Sequence, residues 1–303
     1  MPSKYLVTVN ATGRQAASVC RVAAAIGYEV RAHVSQKDHP VARELEALDH
    51  ITVVEGSLED KKFIADLFVD ANRAFINTLT WGDEVAIGRS LADAAKKAGI
   101  KHYIGLPATF VYTGIYNNNL PMPLFRMQLL SDGSFEWKAP FHADIPIPWL
   151  DAEHDVGPAV LQIFKDGLRK WSGHRIALAF ELLTPQRVCQ LFSRALRRPV
   201  RYTFSPTIEI ETRVPNGYQQ QLRALEVLFA QCKAPYFGAD IKGANKEVVV
   251  PNENGDGSGG AAGKGTVVEE ARALWGGWRG IEEYAREVFP VEEAANGMTW
   301  MNE

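Results

Sequence analysis

The sequence predicts an α/β fold: a parallel sheet with helices on both faces, followed by a smaller α/β C-terminal lobe. Three observations predict it. Short apolar runs alternate with amphipathic stretches from Tyr5 to Leu106. Glycines punctuate that alternation at Gly27, Gly56, Gly82 and Gly99. The first run, Tyr5–Val9, leads through Asn10-Ala11-Thr12-Gly13-Arg14-Gln15 into an Ala-rich stretch ending at Gly27. Strands alternating with helices pack as a parallel sheet joined by right-handed crossovers.

The elements follow in order. Tyr5–Val9 is a strand and Ala16–Ala25 the helix after it. In a dinucleotide-binding turn, three glycine positions let the chain approach a pyrophosphate at the helix N-terminus. Asn10, Gly13 and Ala16 hold those positions here. Asn tolerates turn dihedrals, and Ala is small enough for the helix to pack closely. Strand Glu29–Val34 precedes a helix over Val41–Leu48, and strand Ile51–Glu55 a helix over Lys61–Phe68. Strand Ala74–Asn77 precedes a helix over Glu84–Ala98, and strand His102–Leu106 closes the series.

Ligands of such sheets bind beyond the carboxyl ends of the strands. There the chain offers Ser35-Gln36-Lys37 for an adenosine ribose, Gly56-Ser57-Leu58 for an adenine edge, and Asn77-Thr78-Leu79 for the cofactor's middle. No carboxylate directly follows the second strand, so NAD and NADP are both admitted. The fifth strand breaks the pattern. Only Pro107 separates it from Ala108–Tyr116, another strand-like run. A parallel crossover needs a dozen or more residues, so that crossover is missing. With it goes the helix on which a reductase of this class would carry its acid/base Tyr or Lys. Tyr116-Asn117-Asn118-Asn119 then form an amide-rich turn suited to the nicotinamide end.

Residues 1–119 are expected to form the dinucleotide-binding domain, incomplete near 105–107. Residues 120–303 form the smaller lobe, interleaved with that core. In it, Leu120–Leu150 is rich in proline and aromatics, and Asp151–Pro158 starts a helix reaching Phe164 with its acids at the N-terminus. Thr184-Pro185 starts a helix to Leu196, Tyr218–Gln231 is amphipathic, and a final helix spans Val267–Phe289. The Gly-rich stretch 252–265 is expected to be mobile. Its GAAGKG is no P-loop, because no strand feeds it.

With 303 residues, 46% hydrophobic and 23% charged, the chain suits one large or two modest domains. A net charge of −3 argues against a chain-wide nucleic-acid surface. The basic stretch Arg194–Arg201 reads as a solvated helix end. Cys20, Cys189 and Cys232 lie far apart, as buried thiols in a reducing compartment. No metal-ligand spacing, secretory leader or membrane-spanning apolar run is evident, so neither a metal nor a membrane is expected.

NATGRQAAS (Asn10–Ser18), GDEVAIGRSLADAAKKAG (Gly82–Gly99), FVYTGIYNNN (Phe110–Asn119) and PWLDAEHDVGPA (Pro148–Ala159) together resemble the NmrA-like family. The resemblance covers nearly the whole chain. It implies an atypical short-chain dehydrogenase fold that binds NAD or NADP, preferring the oxidised form, without the Tyr-x-x-x-Lys catalytic pair. It implies a fungal negative regulator of nitrogen metabolite repression that binds a GATA-type zinc-finger activator, with no direct nucleic-acid contact, in nucleus and cytoplasm. Carried onto this chain, Asn10, Ala11, Thr12, Gly13, Arg14 and Gln15 would cradle the pyrophosphate. Ser35, Gln36 and Lys37 would meet the ribose. Gly56 and Ser57 would meet the adenine, and Asn77, Thr78 and Leu79 the cofactor's middle. Tyr116, Asn117, Asn118 and Asn119 would close the nicotinamide side. Roughly thirty residues present in relatives are missing after Gly105. The alternative is an NAD(P)H-dependent reductase of the isoflavone-reductase type, with Tyr112, Tyr116 or His154 as stand-in proton donors.

Overall fold

The computed structural model describes residues 5–78, 83–100, 102–103, 109–122, 126–209, 216–234, 236–237 and 268–302. Leu79, Gly82, the junction at 105–107 and the Gly-rich stretch 252–265 lie outside the described residues. The chain gathers into two units, residues 1–111 with 152–175 and residues 112–151 with 176–303.

In the first unit, strands and helices alternate as β1 (Tyr5–Thr8), α1 (Arg14–Ala25), β2 (Glu29–Val34), α2 (Pro40–Glu46), β3 (Ile51–Glu55), α3 (Lys61–Leu67), β4 (Arg73–Phe75), α4 (Glu84–Lys97) and β5 (His102–Tyr103). The strands order as β3-β2-β1-β4-β5, and every pair is parallel. Side-chain caps start three of the helices. His39 Nδ1 accepts from Val41 N–H ahead of Pro40, Asp60 Oδ1 from Lys62 and Phe63, and Asp83 Oδ1 from Ala86. β4 stops two residues short of the expected Asn77. Asn77 has left the ladder, and its carbonyl is bound by a side chain described below.

Alternate β1 side chains serve opposite faces. Val7 and Val9 pack with Ile64, Leu67 and Phe68 of the α3 region and with Leu91 and Ala95 of α4. Thr8 sits against Cys20 of α1 instead. α1 is also covered by α5 (Ala152–Asp166). The closest approach is at Gly157, whose N–H donates to Ser18 Oγ at 3.0 Å. A Cβ at Gly157 would lie 2.5 Å from the Ser18 carbonyl oxygen. α6 (Leu168–Trp171) follows α5.

The chain passes into the second unit inside β6 (Phe110–Thr113). The expected run Ala108–Tyr116 is broken after β6 by Gly114, and β7 is Ile115–Tyr116. A Cβ at Gly114 would meet the Pro148 oxygen at 2.6 Å, so this backbone contact admits only glycine. Next come β8 (Met127–Leu129), β9 (Phe135–Ala139), β10 (Ile147–Leu150), β11 (Arg175–Leu178), β12 (Glu181–Leu183), α7 (Pro185–Leu196) and β13 (Val200–Phe204). Strands β12-β10-β7 and β13-β9-β8 form two three-stranded sheets, and β11 pairs with β6. The aromatics of Leu120–Leu150 form the core here. Trp137 and Trp149 stack edge to face at 5.5 Å, and Phe135 meets Trp300 at 5.1 Å, all but Trp300 essentially without exposure.

Two expected helices differ. α8 (Asn216–Glu226) passes into a wider π turn at Val227–Gln231. Leu222 is buried while Leu228 is exposed, six residues on and about 120° around the helix axis from it. The single tail helix is instead α9 (Glu269–Leu274), α10 (Ile281–Glu287) and α11 (Phe289–Ala295). Gly276-Gly277 breaks it, as two adjacent glycines disfavour a helix interior. The Trp278 ring lies parallel to Phe180 at 6.1 Å with the Arg272 guanidinium 4.9 Å from its centroid, anchoring the tail. The basic stretch is committed to ion pairs and carbonyls. Arg194 grips Glu282 with two bonds of 2.7 and 2.6 Å, and Arg198 donates to the Trp300 oxygen at 3.0 Å. Cys20 and Cys189 are buried, their thiols pushed up to about 12 by desolvation, whereas Cys232 is exposed.

Glycines of opposite kind test this packing. Gly157→Ala should destabilise the chain by about 1–3 kcal/mol, because the added methyl meets backbone. Gly88→Ala, inside α4 with nothing within 4 Å of the new Cβ, should stabilise it by about 0.5–1 kcal/mol. Thermal melts of the two variants should move in opposite directions.

Candidate functional site

The carboxyl ends of β1 to β4 converge on one turn. Asn10 leaves β1 with φ of 55°, the left-handed conformation that asparagine tolerates. Ala11 N–H donates to the His33 oxygen at 2.8 Å, and Gly13 N–H to the Asn10 oxygen at 3.0 Å. Gly13 is the N-cap of α1 in extended conformation, with φ of −75°. It brings no side chain, so no side-chain cap occupies the helix start. A Cβ there would touch only the Asn10 oxygen, at an ordinary 3.4 Å.

Two side chains tie this turn to its neighbours. Asn10 Nδ2 donates to the Asn77 oxygen at 2.6 Å, joining the turn to the segment after β4. Asn10 N–H donates to His33 Nδ1 at 3.2 Å, and His33 Nε2 bonds the Gly56 oxygen at 3.1 Å. A backbone N–H can only donate and a carbonyl can only accept. The ring is therefore neutral, with its proton on Nε2. Burial holds its pKa below the ordinary 6.5. Phe63 packs 5.7 Å from the imidazole, and the same ring would overlap any Cβ at Gly56.

Around these bonds lies a cleft of about 460 Å³, lined by Asn10, His33, Ser35, Glu55, Gly56, Ser57, Leu58, Glu59 and Ile87. That volume is in the range of small-molecule sites. Leu58 and Ile87 supply apolar wall, and Ser35 and Ser57 supply hydroxyls. Among the described residues, the charged groups lining it are two carboxylates, Glu55 and Glu59. Lys37 N–H donates to Glu55 Oε2 at 2.9 Å, while the Lys37 ammonium lies 3.6 Å from Glu46.

Of the expected residues, Asn10, Ser35, Gly56 and Ser57 meet at this cleft, with Ala11 to Gln15 beside it on the turn and start of α1. Arg14 pairs with Glu153 of α5. Gln36 accepts from His39 N–H through its carbonyl. Thr78 Oγ1 donates to Glu84 Oε1 at 2.6 Å, at the start of α4. Tyr116–Asn119 belong to the second unit. There the three asparagines form one 3₁₀ turn, with Asn117 and Asn118 buried. Asn118 Nδ2 donates to Glu292 at 3.2 Å, and Tyr116 shares a bond with the Thr113 hydroxyl. Among the described residues the Asn117 amide has no hydrogen-bond partner. The sequence reading missed His33, Glu55, Glu59 and Ile87. Only one signal pointed to the first: a histidine in a strand whose neighbours Ala32 and Val34 are apolar.

A parallel sheet with a glycine-capped helix at its central strand end defines the class, a Rossmann-type α/β protein. The chain belongs to the NmrA-like family, whose profile matches residues 2–105 and 104–285. It is 51% identical over 346 aligned positions to the nitrogen metabolite repression protein nmrA of Emericella nidulans, covering 98% of each chain. Since 346 positions exceed 303 residues by 43, at least 43 positions of that relative have no counterpart here. The crystal structure of NmrA, a negative transcriptional regulator, in complex with NAD matches with a TM-score of 0.90 at 49% identity. That match covers 99% of this chain and 100% of the other. NmrA in complex with NADP matches with a TM-score of 0.89 at the same identity and coverage.

The neutral imidazole makes stability depend on pH. The unfolded chain takes up a proton at His33 near pH 6.5, which the folded site resists. Its contribution is complete above that pH and is lost as pH falls below it, by up to about 1.4 kcal/mol per pH unit. Melts from about pH 7.5 to about pH 5.5 should therefore fall more steeply for the native chain than for His33→Gln. Glutamine keeps one acceptor and one donor but does not titrate.

Proposed function

We propose that this protein is an NAD(P)-binding, non-catalytic negative regulator of transcription in nitrogen metabolite repression. One observation carries the reading. A helix capped by Gly13, with space for a ligand where a side chain would stand, opens at the carboxyl ends of parallel strands. It does so in a chain about half identical, along almost its full length, to a regulator crystallised with NAD and with NADP. The residues fit such a group. Asn10 to Gln15 would hold the pyrophosphate at the helix start. Ser35 to Lys37 would lie at the adenosine ribose, and Gly56 and Ser57 at the adenine edge. Asn77 to Leu79 would follow the cofactor's middle, and Tyr116 to Asn119 its nicotinamide side.

In this reading the oxidised forms bind preferentially, and occupancy is passed on by contact with a GATA-type zinc-finger activator in nucleus and cytoplasm. The protein itself touches no DNA. The family match falls into two stretches meeting at 104–105, which supports loss of the crossover after β5. With that crossover goes the position for a catalytic Tyr/Lys pair.

Calorimetric titration with NAD, NADP and their reduced forms tests the binding, and co-precipitation with the activator's zinc finger tests the partner. Gly13→Val should fold, lowering the melting temperature only modestly, since an added Cβ has room and the loss is that of a poorer N-cap. It should lose at least about tenfold in affinity for both oxidised dinucleotides. Unchanged affinity would remove the turn from the site. Steady turnover of NADPH with quinone or enone substrates would replace the regulator reading with a reductase.

A further inference from the structure

We propose that a second copy of this chain completes the parallel sheet, by reciprocal exchange of β6 across a two-fold axis. The inference is independent of the nucleotide reading. In doubly wound sheets the classic order is 3-2-1-4-5-6, with the sixth strand beside the fifth. Here the sheet ends at β5, and β6 pairs with β11 instead. Among the described residues, β5 and β6 therefore each have one edge without a strand partner. The cause is the connection. Only six residues, 104–109, separate Tyr103 from Phe110. A strand that returns parallel to its neighbour needs a dozen or more. The sheet cannot take up its own β6, but it can pair with the β6 of another copy.

The backbone of β6 is oriented for that pairing. Phe110 N–H donates to the His174 oxygen at 2.8 Å, and Gly114 N–H to the Leu178 oxygen at 3.0 Å. Backbone groups alternate in direction along a strand, so Val111 and Thr113 turn theirs to the open edge. Phe110 and Tyr112, two apart on one face of the strand, are each 39% exposed. An apolar strand with a bare edge is a site of association. A two-fold axis satisfies both open edges at once, because the β6 of each copy adds to the β5 of the other. Six extended residues reach about 20 Å, so the short connection has only to run straight across. A connection too short to fold back invites such an exchange. An unrelated peptide would fill one edge and leave the other bare.

Size-exclusion chromatography with light scattering tests the proposal on the full chain. The native chain should run at twice its monomer mass across a dilution series. Val111→Pro removes an N–H that faces the open edge and leaves the two bonds from Phe110 and Gly114 to the β11 side in place. It should keep the native circular dichroism spectrum and run as a monomer. A second variant carries about fifteen Gly and Ser residues inserted after Pro107, enough for a crossover. It lets β6 return to its own sheet, and it should be monomeric too. If the proline variant does not fold, the insertion variant decides. A monomeric native chain, a dimer that survives in either folded variant, or a ladder of higher oligomers would overturn the exchange.

Discussion

The first unit depends on how four strand ends are held once they leave the ladder. Backbone groups there have lost their sheet partners and lie at a cleft, where an unpaired donor is costly. Two side chains meet most of that need. Asn10 reaches the segment after β4 with its amide. His33 bridges the β1 turn and the loop after β3, accepting on one ring nitrogen and donating on the other. Because only one tautomer satisfies both carbonyl and amide, the bridge also fixes the protonation of the ring. The left-handed Asn10 is thus one corner of a hydrogen-bonded frame rather than an isolated irregularity.

That frame determines what the cleft can offer. Arg14, at the first position of α1, is drawn to Glu153 on α5. Positive potential at the helix start therefore rests chiefly on peptide dipoles. Along the opposite wall the formal charges are negative, from Glu55 and Glu59. The cleft runs from a dipolar, electropositive corner to an acidic one, with Ile87 and Leu58 between. A ligand matched to it is anionic at one end and rich in hydroxyl donors at the other.

Much of this architecture was legible in the sequence, because period and punctuation act locally. The β1-to-α4 alternation, Thr184-Pro185 at a helix start and the turn around Gly13 follow from apolar spacing and capping residues. What escaped depends on tertiary geometry. Glu55 reads as an ordinary strand end until register places it beside Val34. His33 reads as a core residue until its two nitrogens are seen to face separate loops. The tail was misread because the flanking apolar spacing outweighed Gly276-Gly277 in the reading, while the folded chain breaks there and sets Trp278 on Phe180. Gly56 lines the cleft, and the Phe63 ring also leaves no room there for a Cβ, a packing constraint invisible in the sequence.

Glycines 13, 114 and 157 record different histories of constraint. At 114 and 157 neighbouring backbone stands where a methyl group would go, so stability by itself favours glycine there. At 13 the protein's own atoms raise no such objection. Packing alone would let that position accept at least the small N-cap residues. A lineage that retains glycine at 13 is being judged by something other than its own packing.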